Sequence, residues 1–532
     1  MAPDPADIAN HLELGLGRRT WPEAVWIVLR RHGERLRAGW VPAGPVRDRL
    51  GEVLDLPEAR AAATLEIAAP TGWQRFDPAD AAAFLNRHRG LVGYIFAMGE
   101  AQSAVPPTQT IATNSPPAKV LETFLANRGV DRQRFRREGR AVACRPEQVL
   151  VHLDAARDRP IEPMYRANRV VRPDDVTGAE AEAMLDRMLG WVRANMAADG
   201  TLPYKYWPSR DEDSTADNVI RQFLATLGLI RAARTPGRGQ LEAYARANLA
   251  RNVRAYTRDC GTYAGMECDG KGKLGATALG ALAILEHEGT NGPHADALAK
   301  LRAGIDRQWR EDGAFRTFLW PRDRNDCQNF YPGEALLFYA TLYRHTGEAD
   351  VLERAMRSFR CYRAWHREHP NPAFVPWHTQ ACAHLYEATG DAELRAFVLE
   401  MNDWLLGVQQ WDERLEPDLR GRFYAPDKPA YGPPHAASTG VYLEGLAVAH
   451  ELARRAGEDA RAETHRRGIR RGLRSLRQVQ AVSRVDTFYV RAPERVLGAL
   501  RTEAYDNEVR LDNLGHALLA LTNLPAWTVA DP

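Results

Sequence analysis

Cysteine is scarce in this chain: six residues among 532, at positions 144, 260, 268, 327, 361 and 382, with no CxxC pair. That spacing excludes a zinc ribbon and a disulfide-built scaffold. It predicts reduced thiols, with Cys260 and Cys268 the pair placed to meet across a loop. Other metal patterns are missing too. There is no HExxH and no EF-hand loop, and the HREH run at 366–369 falls on a charged helix face. The GKGK stretch at 270–273 lacks the rest of a phosphate-binding loop, and no GxSxG elbow occurs. We therefore expect no metal, no cofactor and no serine-hydrolase chemistry.

An excess of one charge is also lacking. Lys and Arg number 71 against 69 Asp and Glu, a formal net charge of +2, which supplies no field for capturing nucleic acid or an anionic membrane. No run of about 18 uncharged apolar residues could span a bilayer. The opening MAPDPADIANHLELGLGRRT has prolines and acids where a secretory leader needs a basic end and an apolar core. These absences predict a cytoplasmic protein without membrane or nucleic-acid partners.

What is present is a helical rhythm. The chain is 45% hydrophobic and 26% charged, ordinary for a globular protein with a sizeable core. From about residue 177 an apolar helix, a short Gly turn, a charged helix and a longer loop recur. The turns RHTGEADV, EATGDAEL and RRAGEDAR put Gly where a helix ends left-handed, followed by an acid suited to the next helix start. Before them lie YPGEALLFYATLY, WHTQACAHLYEA and STGVYLEGLAVAHELA. After them come more charged segments whose apolar residues recur every three or four positions. An inner and an outer ring follow. With further candidates at 178–197, 215–233, 241–257, 273–288, 294–310 and 512–523, about twelve helices close six hairpins.

Residues 1–165 break the rhythm. A helix is expected near 21–38, then strand-like runs AATLEIAA, LVGYIFAMG and EQVLVHLD, and a helix in NSPPAKVLETFLANRG capped by Asn114 or Ser115. The fold class is therefore mainly α: an (α/α)6 toroid over 177–532, a linker at 166–176 and a smaller α+β domain at 1–165.

Hairpins of this asymmetry, with TGEAD and TGDAE turns after YPGEALLFYATLY, resemble the six-hairpin superfamily of sugar-acting enzymes. That group includes glycoside hydrolases, unsaturated-uronyl hydrolases and N-acylglucosamine epimerase-like isomerases. The resemblance implies a small saccharide or oligosaccharide partner. GKLGATALGALAIL followed by DRQWREDGAF also resembles terpene cyclase and prenyltransferase toroids, but neither a DxDD motif nor a Cys/His/Asp zinc set accompanies it.

In such a ring the loops entering the inner helices gather at one mouth, so polar residues before those helices converge. They are Tyr204, Tyr206, Asn218, Arg221 and Gln222; Asp326, Gln328, Asn329, Tyr331 and Glu334; Trp377, His378 and Gln380; Tyr431, His435, Ser438, Tyr442 and Glu444; and Arg501, Asp506, Asn507, Arg510, Asp512 and His516. Aromatic faces suit sugar rings, and the amides and guanidiniums suit hydroxyls or carboxylates. Glycoside hydrolysis needs two carboxyls, one kept protonated, and Glu334 is the candidate acid with Asp326 or Asp506 as its partner. A helix start opposes that role, because its positive end favours the ionised form. For sugar epimerisation, His378 or His435 is the candidate base. The same pocket could also bind a glycan or peptide without turnover. Each residue has a structural alternative as well: Glu334 capping its helix, Asn218, Arg221 and Gln222 tying hairpins together, and Arg510 with Asp512 closing an ion pair.

Overall fold

A computed structural model describes residues 19–153 and 161–524. The stretch read for a leader lies almost wholly outside them. Among the described residues from 178 onward, twelve long helices alternate between two layers: α1 (Gly178–Asn195), α2 (Val219–Ala233), α3 (Glu242–Tyr256), α4 (Leu274–Glu288), α5 (Ala295–Asp306), α6 (Tyr331–Thr346), α7 (Ala349–Glu368), α8 (Val375–Thr389), α9 (Ala392–Leu406), α10 (Ala436–Arg455), α11 (Asp459–Val479) and α12 (Leu511–Asn523). Helix α2 packs on α4, α4 on α6, α6 on α8, α8 on α10 and α10 on α12, and α12 returns to α2. That closed cycle is an (α/α)6 barrel. The remaining six form the outer layer, each packed chiefly against one inner helix.

Burial explains which helix goes where. Every residue of α4 from Leu274 to Leu285 is buried, including Gly275, Ala276, Thr277, Gly280 and Ala283, because an inner helix is enclosed on all sides. In α11 the buried positions instead follow one stripe through Ala462, His465, Ile469, Leu473 and Leu476, and arginines cover the back. Gly347 and Gly390 end α6 and α8 in the left-handed conformation, as the TGEAD and TGDAE turns predict. The loops entering α2, α4, α6 and α12 carry short antiparallel strands: Lys205–Trp207 pairs with Asp506–Arg510, and Lys271–Lys273 with Phe318–Trp320.

The N-terminal region holds a five-stranded antiparallel sheet, in the order Ile161–Met164, Glu147–His152, Thr64–Ala69, Val25–Arg31, Glu34–Val41, and a four-stranded one centred on Gly93–Met98. The helix expected at 21–38 is a β-hairpin. Arg31 pairs with Glu34, leaving His32 and Gly33 as a two-residue turn, both at positive φ (47° and 73°), the geometry that matches strand twist. The β-branched and aromatic run VWIVL favours the strand. Neither Asn114 nor Ser115 caps the helix at Pro117–Ala126; Pro116 takes that position. Asn114 reaches across to the barrel instead, donating to Asp506 at 2.9 Å. Two ion pairs also hold the region against the loop entering α10: Arg166–Asp418, buried, and Arg145–Glu416. No described helix is long and apolar enough to cross a membrane.

Candidate active site

The inner helices begin at one end of the barrel, where the N-terminal turns of α2, α6, α8, α10 and α12 line a cavity of about 290 Å³. Its wall takes Arg221 from α2, Glu334 from α6, Trp377 from α8, Ser438 and Tyr442 from α10, and Asp512 and His516 from α12. The loops add Asn329, Phe330, Asn371, Tyr431 and His435.

Glu334 sits in the first turn of α6 and is 3% exposed. Its carboxyl lies against the bare backbone of α4 at Gly275, where a Cβ would collide with Oε2. Oε2 accepts no hydrogen bond. Burial pushes the carboxyl up to about 8, over the opposing pull of Arg221 and Lys273. Desolvation therefore outweighs the helix end, and Glu334 is mostly protonated at pH 7.

Asp512 is the opposite case. It is 1% exposed, yet Arg510 grips both its oxygens at 2.9 and 2.7 Å and Arg221 lies 3.0 Å from Oδ2. Burial opposes ionisation, but the two guanidiniums prevail and hold this carboxyl well below the usual range. The closing ion pair read from Arg510 and Asp512 is present, with Arg221 as a third member.

Two imidazoles line the same cavity. His516 Nδ1 meets Oε1 of the fully buried Glu444 at 2.6 Å, which orients the ring and leaves Nε2 outside that bond. Burial raises the Glu444 carboxyl against the attraction of His516 and Arg231. The His435 ring precedes α10, where its Nδ1 accepts from the Ser438 N–H at 3.2 Å, placing the proton on Nε2. Burial holds His435 down at about 4, so it is neutral at pH 7.

The structure gathers Arg221, Asn329, Glu334, Trp377, Tyr431, His435, Ser438, Tyr442, Asp512 and His516 around the cavity and places the other expected residues elsewhere. Asp326 lies on an exposed loop, bound by Arg324 and lowered to about 2, and is not among the residues that line the cavity with Glu334. Asp506 ties the final strand to Asn114. His378 is not among the lining residues and stacks on Phe374 with ring centres 3.5 Å apart; burial lowers it to about 3, which makes it a weak base. Gln222 donates to the Leu202 carbonyl and Asp217, Asn218 caps α2, and Tyr206 bonds Asp211. Gln328 bonds Tyr362 and the Phe315 carbonyl, Tyr331 packs edge-on to Phe318, and Arg501 donates to the Gln478 carbonyl. Tyr204 supports the start of α12 through its carbonyl, and Arg510 serves Asp512. Gln380 points to the far end of the barrel, and Glu444 stands behind His516.

Phe330 and Asn371 line the cavity without having been singled out in the sequence. Phe330, 44% exposed, is a large apolar side chain left open at the mouth. Its signal was its place directly before YPGE, beside Asn329.

No family profile matches the chain, and no curated protein matches it in sequence. Similar solved structures include a cellobiose 2-epimerase from Bacillus thermoamylovorans (10% identity, TM-score 0.48), a sugar epimerase from a ruminal bacterium (13%, 0.47) and an α-1,6-mannanase from Salegentibacter sp. HEL1_6 (13%, 0.46). Each alignment covers 65% of this chain and 98% of the other.

Proposed function

We propose that the mouth is the active site of a saccharide-processing enzyme whose reaction is epimerisation or isomerisation by proton transfer. The observation that carries this reading is the charge of the cavity floor. Glu334 is held neutral, and Asp512 is shared by Arg221 on the cavity wall and Arg510 outside the lining, two cations to one anion, so this group leaves one positive charge in excess next to the cavity. Removing a proton beside a sugar carbonyl puts negative charge on the carbonyl oxygen, which such a floor stabilises. Glycosidic cleavage passes through an oxocarbenium-like cation, which the same floor opposes.

The residues divide the work accordingly. His516, oriented by Glu444, takes the proton from the carbon next to the carbonyl, and the electron pair moves onto the carbonyl oxygen. Arg221 and protonated Glu334 stabilise that oxygen, and His435 supplies an Nε2–H donor. Rotation within the enediol that turns its other face to His516 before the proton returns gives an epimer; returning the proton to the former carbonyl carbon, as the neighbouring hydroxyl proton passes to the former carbonyl oxygen, gives an isomer. Phe330 and Tyr431 offer ring faces to the sugar, and Asn329, Asn371 and Ser438 its hydroxyl partners.

A second reading, glycoside hydrolysis with Glu334 as the acid, draws on its raised pKa and unpartnered Oε2. It lacks a free second carboxylate among the described lining residues. The two are separated by incubating the protein with mono- and disaccharides in heavy water. Deuterium entering the carbon beside the carbonyl, without new reducing ends, supports epimerisation or isomerisation. New reducing ends without deuterium support hydrolysis, and saturable binding with neither change marks a glycan-binding protein.

A further inference from the structure

The inner helices also end together, and there the barrel holds a second cavity of about 430 Å³. It is lined by Arg231 and Arg234 from the end of α2, Glu286 from α4, Thr341, Arg344 and His345 from α6, and Gln380 and His384 from α8. Helix C-termini attract cations, and that alone would explain arginines near them. Three observations go beyond it.

First, the terminal carbonyls of α6 and α8 are already served by the backbone. The Gly347 and Gly390 N–H groups donate to Tyr343 and Tyr386. Neither Arg234 nor Arg344 donates to a helix carbonyl, and the nearest carboxylate to Arg344, Glu387, is 3.9 Å away and shared with Arg455. Second, the cations exceed the anions. Arg231 is neutralised by a bidentate pair with Glu286 at 2.8 and 3.1 Å, leaving Arg234 and Arg344 as surplus charge on the lining. Third, two lining residues carry buried polar atoms without partners. Thr341 is 6% exposed and its Oγ1 makes no hydrogen bond, nor does His384 Nδ1. A buried hydroxyl left unpaired costs free energy that a bound acceptor recovers.

We propose that this cavity binds a small phosphate-bearing anion, either free phosphate or a phosphorylated sugar, through Arg234, Arg344 and the Thr341 hydroxyl. A volume of 430 Å³ suits a phosphorylated monosaccharide. Guanidinium forks match phosphate oxygens, and Arg231 with Glu286 forms a fixed wall behind them. His384, held at about 4 by burial and by the cations beside it, would be drawn upward by a bound anion.

The proposal is independent of the reaction assigned to the mouth. It is tested by calorimetric titration of the full chain at low salt with inorganic phosphate, glucose 6-phosphate and glucose. Both phosphate compounds should bind saturably and glucose should not bind here; the tighter of the two identifies the source. The double charge reversal Arg234→Glu/Arg344→Glu should weaken phosphate binding at least about tenfold, while Arg246→Glu on the exposed outer helix α3 leaves it unchanged. Thr341→Val should weaken it severalfold. Both arginines are exposed, so the double variant keeps its fold, which its melting curve verifies. Absence of saturable phosphate binding, or equal binding by the double variant, overturns the proposal.

Discussion

The two ends of the barrel are made by the same six helices, yet they offer opposite backbone chemistry. The mouth presents helix starts, whose N–H groups favour anions, and the far end presents helix ends, which favour cations. The side chains follow only in part. Asp512 at the mouth and Arg231, Arg234 and Arg344 at the far end obey the backbone field. Glu334 does not: it sits at a helix start and is nevertheless pushed up to about 8 by burial. The lesson is one of magnitude, since a helix end is worth roughly 0.3–1 kcal/mol and full burial shifts a carboxyl by up to about 3–5 units.

The contrast can be broken most severely at Asp512. Asp512→Asn leaves Arg221 and Arg510 without their shared anion, and chemical denaturation should show a loss of about 3–5 kcal/mol. The same change at an exposed pair, Asp326→Asn, should cost less than about 1 kcal/mol. Next in size is His516→Asn, which should lower the isomerisation rate by about 10²–10⁴-fold while sugar binding persists, read from kcat and KM separately. His378→Asn should leave kcat within a few-fold, because that ring faces Phe374.

A smaller effect sharpens the role of Glu334. Because its folded pKa is raised, its stabilising influence is complete below the unfolded value near 4.5 and is lost as pH rises through about 8. Glu334→Gln should therefore melt at nearly the wild-type temperature at pH 4.5 and higher than wild type at pH 8.5. Equal melting at both pH values would show that the carboxyl is ionised in the folded protein. The smallest expected effect is at the far end: without phosphate, the Arg234→Glu/Arg344→Glu variant should turn over sugar at close to the wild-type rate.

Much of the barrel was legible because burial is written into helix composition: YPGEALLFYATLY and STGVYLEGLAVAHELA have no charged stripe wide enough for a surface helix. The hairpin at 25–41 differs from the helix expected at 21–38, and the VWIVL run and the His32–Gly33 turn are the features that decide for strands. In the site, the sequence located the loops but not the direction of each side chain. Successive helical residues point about 100° apart, so Trp377 faces the mouth while His378 faces Phe374. The pairing of Glu444 with His516, 72 residues apart, exists only once the ring has closed.

The central claim is that the mouth holds a carboxylic acid beside a surplus of positive charge. Infrared difference spectroscopy of wild type against Glu334→Gln across a pH series reads that group directly. The account predicts a protonated carboxyl band at pH 6.5 that disappears with a midpoint near 8. A carboxylate signal already complete at pH 6 would contradict it.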